Sequence, residues 1–283
     1  MTFTFNAEII EFLRKKGITV EKILDGYLHG KHRSPFFGHS LEFKDLRAYE
    51  KGDDIKFIDW RLYGRTEKFF VKKYEEETNI RVYIILDVSR SMSLDRKGEV
   101  GRGVAAIFAF LSYLSRDACG LFLFNEREVF FRPPSTTYSN LQNLMKALED
   151  FRDSGKTDFL NAMLDLEKRI KKRSLLITVS DFLCEFAQLQ KFLRFFKSKG
   201  HEILVFPIIS RRELEELQPG ILLRDSESSE EIAATREMLF NYRKRIKEHY
   251  FDLNDLFTHY GIKYNEFYTD LDLTLQVRKF LEI

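Results

Sequence analysis

One carboxylate and two hydroxyls stand at alternate positions in Asp87-x-Ser89-x-Ser91. Oxygen donors with no histidine or cysteine among them suit a hard divalent cation, Mg²⁺ first with Mn²⁺ or Ca²⁺ as alternatives, and not zinc. Two later residues extend the set: Thr157, in Ser154-Gly-Lys-Thr157, and Asp181, in Val179-Ser180-Asp181-Phe182. Asp87, Ser89, Ser91, Thr157 and Asp181 together offer three neutral hydroxyls and two charges. An ion held by so few anions stays electrophilic, and Mg²⁺ keeps several waters in its six-oxygen shell. A carboxylate from another protein can displace one of them. The plainer alternative is that Ser89 and Ser91 cap the next helix and Asp181 caps another.

These residues need elements to hold them. Val82 to Leu86 is a β-branched, apolar run that reads as a buried strand over 81–87, ending at Asp87. Thr157 precedes a helical pattern over about 158–172, and Asp181 follows a strand over 174–180. Between them the pattern predicts a helix over 99–116, a strand pair at Gly120–Phe124 and Glu128–Phe131 ended by Pro133-Pro134, and a helix over 138–151. A helix over 186–199 and a strand over 202–208 continue the alternation. Residues 211–233 read as a polar insertion with a hairpin turning near Glu227-Ser-Ser229. One long helix over 234–260 capped by Gly261, a strand over 262–267 and a helix over 270–282 close the chain. The alternation predicts an α/β fold: a doubly wound, mostly parallel sheet flanked by helices, with ligands at the carboxyl ends of its strands. Domain boundaries are expected at 1–78 for an N-terminal extension and 79–283 for the α/β domain. The extension is read as an amphipathic helix over 6–16 and, over 40–78, short strands and turns with an edge strand at Lys68–Tyr74.

The ordered set Asp-x-Ser-x-Ser, Thr, Asp resembles the metal-ion-dependent adhesion site of von Willebrand factor A domains. Upstream, Gly52-Asp53-Asp54-Ile55-Lys56-Phe57-Ile58-Asp59-Trp60-Arg61, with Glu42-Phe43-x-Asp45-Leu46-Arg47 before it and Arg65-Thr66 after it, resembles the signature, over 42–66, of a bacterial and archaeal family. Members of that family carry a von Willebrand factor A-like domain, have no assigned enzymatic activity and are typically encoded beside MoxR-type AAA+ ATPases. The resemblance covers about residues 25–225. It implies a metal-dependent protein-interaction module whose partner is a MoxR-type ATPase, acting in chaperone-like assembly or maturation. Phe182 follows Asp181 where many von Willebrand relatives have glycine, which alters the loop without removing a ligand. The signature itself, Asp53, Asp54, Asp59, Trp60, Arg61 and Arg65, has no evident chemistry. An ion-pair cluster that holds the extension on the sheet, with Trp60 as a packing anchor, is the favoured expectation; a second protein-binding surface is the alternative.

Composition narrows the classes. In 283 residues, 46 Lys and Arg balance 44 Asp and Glu, so no general attraction to nucleic acid is expected. Cys119 and Cys184 lack metal spacing and suit buried, reduced thiols in the cytoplasm. The start lacks a signal-peptide pattern, and Val104 to Leu111 falls short of the ~18 residues of a membrane span. Among enzymes, a Mg²⁺-dependent phosphatase of the haloacid dehalogenase type also starts from an Asp at a strand end. It needs a second Asp two residues on, and Ser89 stands there. Gly155-Lys156-Thr157 lacks the earlier glycine of a P-loop, since position 150 is Asp. Gly98, Gly101 and Gly103 are read as easing the entry of the helix over 99–116. The expectation is a non-enzymatic protein, with a purely structural subunit carrying a vestigial site as a further alternative.

Overall fold

Residues 40–50, 53–54, 58–77, 80–213, 222–224, 231–233 and 235–281 are described by the computed structural model of the chain. They fall into two compact units, one within His32–Ile80 and one containing Arg81–Ile283. The helix expected over 6–16 and the turn expected at 227–229 lie outside the described residues.

In the first unit β1 (Ser40–Ala48) pairs antiparallel with β2 (Phe70–Glu77), and α1 (Trp60–Thr66) lies between them in sequence. The strands match the expectation; the helix is a correction to a reading of strands and turns alone. Its stretch has no apolar periodicity, and its start is set by a cap. Asp59 Oδ1 accepts from the Arg61 and Leu62 N–H groups, both at 3.0 Å, satisfying two of the donors a helix start leaves orphaned. Tyr63, on the helix, stacks on Phe69 at 4.4 Å between ring centroids.

The second unit runs β3 (Arg81–Asp87), α2 (Lys97–Leu114), β4 (Ala118–Phe124), β5 (Glu128–Ser135), α3 (Tyr138–Asp150), α4 (Phe159–Arg169), β6 (Leu175–Ser180), α5 (Phe186–Ser198) and β7 (Glu202–Ile209). It then continues with β8 (Leu222–Arg224), β9 (Glu231–Ala233), α6 (Arg236–His259), β10 (Lys263–Tyr264), β11 (Phe267–Tyr268) and α7 (Leu273–Leu281). The main sheet has the order β5-β4-β3-β6-β7-β10, with β11 also on β7. Counted from β3 this is the 3-2-1-4-5-6 order of a doubly wound fold. Every pairing is parallel except β4 with β5. β8 and β9 form the hairpin expected in the polar insertion.

Side chains of the parallel strands alternate between two covered faces, so the runs are apolar throughout. Tyr83, Ile85, Phe122, Leu176 and Val205 pack under α4, α5 and α6 with Phe159, Leu166, Phe192 and Phe257. On the other face Phe108 of α2 meets Phe206 of β7 at 4.9 Å and Phe280 of α7 at 6.2 Å. Gly101 lets α2 lie close on the sheet: a Cβ there would come within 3.0 Å of Met92 Cε and 3.4 Å of Leu86 Cδ1.

Three local expectations are corrected. Gly98, Gly101 and Gly103 lie inside α2, which begins two residues earlier than the pattern implied. Pro133 and Pro134 do not end β5 but belong to it; β5 is an edge strand, where a missing N–H is tolerated. The strand expected over 262–267 is two short strands, Lys263–Tyr264 and Phe267–Tyr268, both on β7. As foreseen, Gly261 follows α6 in the left-handed region, with φ +58°.

Candidate metal centre

β3 and β6 are neighbours, yet the chain leaves them toward opposite sides of the sheet, to β4 and to β7. That divergence opens a crevice at their carboxyl ends. Asp87 closes β3 there, and Asp181 follows Ser180, the last residue of β6.

Asp87 is 1% exposed and its carboxylate is fully engaged. Oδ1 accepts from the Ser89 N–H at 2.8 Å. Oδ2 accepts from the hydroxyls of Ser180 at 2.7 Å and Thr157 at 3.2 Å. Ser89 and Ser91 place their hydroxyls 3.1 Å apart. Two backbone bonds clamp this loop to the one carrying Thr157: Arg90 N–H to Gly155 O at 2.9 Å and Ser154 N–H to Val88 O at 2.8 Å. Gly155 is required at that turn, because its φ is +75° and a Cβ would meet Asn125 Nδ2 at 2.9 Å. The Gly-Lys-Thr sequence thus serves a tight turn. Asp158 caps α4 through Asn161 N–H and so fixes Thr157 one residue before the cap.

Ser89, Ser91 and Thr157 line one open groove of about 500 Å³ with Arg90, Lys156, Glu126, Leu183, Glu185 and Gln188. The capping alternative for the serines does not hold: Ser89 precedes a 3-10 turn over Arg90–Ser93 and makes no side-chain cap bond. Nor does Asp181 cap α5, whose N-cap residue is Glu185.

Asp181 is fully buried. Its Oδ1 accepts from Leu183 N–H at 3.2 Å, and its Oδ2 accepts from Lys97 Nζ at 3.0 Å. Lys97 is also fully buried, and its ammonium reaches Glu213 Oε2 at 2.8 Å. Burial works against the Lys97 charge, but Asp181 and Glu213 outweigh it and hold its pKa above the ordinary lysine value. Burial also pushes the Asp87 carboxyl up to about 6, and the Asp181 charge pushes the same way. Asp181 and Glu213 share the one buried ammonium of Lys97, and Asp87 lies beside them as a third carboxylate. Hydroxyl oxygens facing a groove, backed by buried carboxylates, fit a hard dication. Among the described residues no group of three or more His, Cys, Asp or Glu is placed to hold a metal, so a site here depends on the hydroxyls. Lys97, Ser180 and Glu213 escaped the sequence reading. Ser180 could have been found from its place on the same strand face as Leu176 and Thr178; Lys97 lies 84 residues from Asp181 and carries no local signal.

Phe182 has φ +55° although it is not glycine, a conformation that costs about 1–2 kcal/mol. Its ring compensates. It is fully buried, stacked on Phe159 at 5.6 Å and edge-on to Phe257 at 5.8 Å. Its N–H donates to Ser180 Oγ, and its carbonyl meets His249 Nε2 at 2.8 Å. The ring thus anchors the loop beside Asp181 from the core. Phe182→Gly should relieve the backbone but lose the ring, for a net loss of about 2–4 kcal/mol. Urea denaturation of the two proteins measures it, and equal midpoints would refute the anchor.

The signature residues have separate roles. Asp53 accepts from Glu50 N–H, which chiefly holds its carboxyl below the usual range, and its pairing with Arg47 acts the same way. Asp59 caps α1. Trp60 is 56% exposed and touches Tyr63 edge-on at 6.2 Å, so it is not the buried anchor expected. It opens a one-face helix, and the side of α1 that carries Tyr63 does the packing. Arg61 and Arg65 are exposed, as is the Asp54 side chain. Cys119 is buried with its thiol pushed up to about 12, and burial raises Cys184 as well, so neither has thiolate character at neutral pH. Among the described residues no helix is long and apolar enough to cross a membrane.

Solved structures are similar to part of this chain. The chain is similar to the conserved hypothetical protein BatB from Bacteroides thetaiotaomicron, at 14% identity and TM-score 0.46 over 72% of this chain and 100% of that one. It is also similar to the VWA domain of SpRpn10, at 12% identity and TM-score 0.41 over 71% of this chain and 94% of that domain. In sequence it matches the uncharacterized proteins Rv1480 of Mycobacterium tuberculosis and Mb1516 of Mycobacterium bovis, each 25% identical over 224 residues, 76% of this chain and 70% of the relative. The family described as Protein of unknown function DUF58 matches residues 45–253, the greater part of both the signature and the α/β unit, and the chain belongs to that family.

Proposed function

We propose that this protein is a metal-dependent protein-interaction module and not an enzyme, with a MoxR-type AAA+ ATPase as its partner in cytoplasmic complex assembly or maturation. The observation that carries the metal site is the grouping at one crevice of the Ser89, Ser91 and Thr157 hydroxyls over the Asp87 carboxylate. Ser89, Ser91 and Thr157 hold the ion directly or through water, and Asp87 and Asp181 supply charge from behind. A bound Mg²⁺, or Mn²⁺ or Ca²⁺ in its place, supplies a Lewis-acidic position that a partner's carboxylate can complete. Arg90 and Lys156 on the groove wall are balanced by Glu126 and Glu185, so the preference for an acidic arrival rests on the ion itself. The partner rests on the resemblance of the 42–66 signature to a family encoded beside such ATPases.

A phosphatase reading lacks support at the decisive position. The residue two after Asp87 is Ser89, whose hydroxyl lies against Ser91, and a hydroxyl does not serve as the general acid at neutral pH.

The test is binding of a purified MoxR-type AAA+ ATPase to immobilised wild type and Asp87→Ala, in Mg²⁺ and in EDTA. Retention by wild type in Mg²⁺ alone is expected. Equal retention in all four conditions would move the binding surface elsewhere, with residues 40–78 the first candidate, and make the metal site structural.

A further inference from the structure

We propose that Lys97 sets the divalent-ion affinity of the groove by competing for the Asp181 carboxylate, and that Glu213 sets how strongly it competes. The inference rests on the reading of the groove as a metal site and adds two residues that the ordered hydroxyl–carboxylate motif does not contain.

Lys97 is a resident cation. Its ammonium is sealed from solvent and shared between Asp181 Oδ2 at 3.0 Å and Glu213 Oε2 at 2.8 Å. Asp181 in turn bonds Leu183 N–H, and Leu183 lines the groove with the three hydroxyls. The carboxylate thus stands between an internal cation on one side and the groove on the other. Whatever part of its field Lys97 neutralises is not felt by an ion in the groove.

The arrangement is built into the fold. Lys97 occupies the first turn of α2, where the helix dipole disfavours a cation, so the two carboxylates must hold it there. Asp95 and Arg96 precede it with φ values of 42° and 62°, a turn that side chains rarely adopt. Asp95 Oδ2 accepts from Ser210 Oγ at 2.5 Å and Thr269 Oγ1 at 2.8 Å, pinning that turn to the ends of β7 and β11. The same Ser210 hydroxyl accepts from Glu213 N–H at 3.0 Å. One side chain therefore ties the loop carrying Lys97 to the segment carrying Glu213. Glu213 Oε1 is buried without a hydrogen-bond partner among the described residues, so Glu213→Gln can keep its oxygen on Lys97 while its amide N–H groups take that unpartnered position, at some cost in stability.

The two residues predict opposite effects. Lys97→Met frees Asp181 and makes the crevice more negative by one charge, and Mg²⁺ should bind about tenfold tighter. Glu213→Gln leaves Lys97 on Asp181 alone and removes one negative charge, and Mg²⁺ should bind about three- to tenfold more weakly. A lysine needed only for folding would weaken binding in both variants, in step with a loss of thermal stability.

Calorimetric titration of Mg²⁺ into the metal-free full chain at pH 8, with melting curves for each variant, tests this. Opposite shifts support the inference. Shifts in the same direction, or Glu213→Gln binding as tightly as wild type, overturn it while leaving the metal site standing. Absence of binding heat for wild type and Lys97→Met alike overturns both this inference and the reading of the groove. If Lys97→Met does not fold, Glu213→Gln decides through its melting curve: weaker binding at an unchanged melting temperature supports the inference, and weaker binding in step with lost thermal stability overturns it.

Discussion

Asp87→Asn should lower Mg²⁺ affinity by about 10–100-fold while the chain stays folded, the range found when a metal site loses its supporting carboxylate. The carboxylate at position 87 accepts from one N–H and two hydroxyls at the crevice floor. An asparagine keeps the shape and one acceptor oxygen. The Ser180 and Thr157 hydroxyls can rotate to accept from its amide, so the loops keep their bonds. What disappears is the negative charge beneath the hydroxyls, and neutral oxygens alone bind a dication poorly in competition with water. Calorimetric titration gives the affinity and a thermal melt reports the fold. Unchanged affinity would place any bound ion away from β3.

Phe159→Ala should be the most destabilising single truncation near the site, at about 3–5 kcal/mol. Phe159 is fully buried, with Phe124, Phe182 and Phe192 at 5.1, 5.6 and 5.4 Å between centroids. It lies two residues after Thr157 and stacks on the residue after Asp181, so one ring supports both loops that meet at the crevice. The melting temperature should fall by roughly 6–20 °C, taking 2–4 °C per kcal/mol for a domain of this size. Mg²⁺ affinity should fall with it, because Thr157 loses its support. A shift of only a degree or two would show that the cluster repacks and that the loops are held by their backbone bonds.

Local pattern was sufficient wherever an element is buried on both sides. β3 and β6 are largely apolar runs of strand length, and each ends at or one residue before its carboxylate, Asp87 or Asp181. It was insufficient where pairing decides the outcome. Pro133 and Pro134 end a strand only if their missing N–H groups face a neighbour, and whether they do depends on β5 lying at the edge. The tail after Gly261 splits into β10 and β11 because both of its pieces pair with β7, one at Leu204–Val205 and the other at Ile208–Ile209. Helix α1 was hidden because a cap at Asp59, not periodicity, starts it.

The sequence by itself determined the doubly wound class, the residues at the carboxyl ends of the central strands, and the hard-oxygen chemistry those residues share. Period and composition carry that information, since each depends on residues a few positions apart. Only the tertiary structure decided what surrounds that chemistry. Lys97 meets Asp181 across 84 residues and Ser180 meets Asp87 across 93, and no local spacing encodes either contact. The charge left for an ion depends on those long-range partners, because a buried carboxylate acts through whichever cation the fold brings beside it.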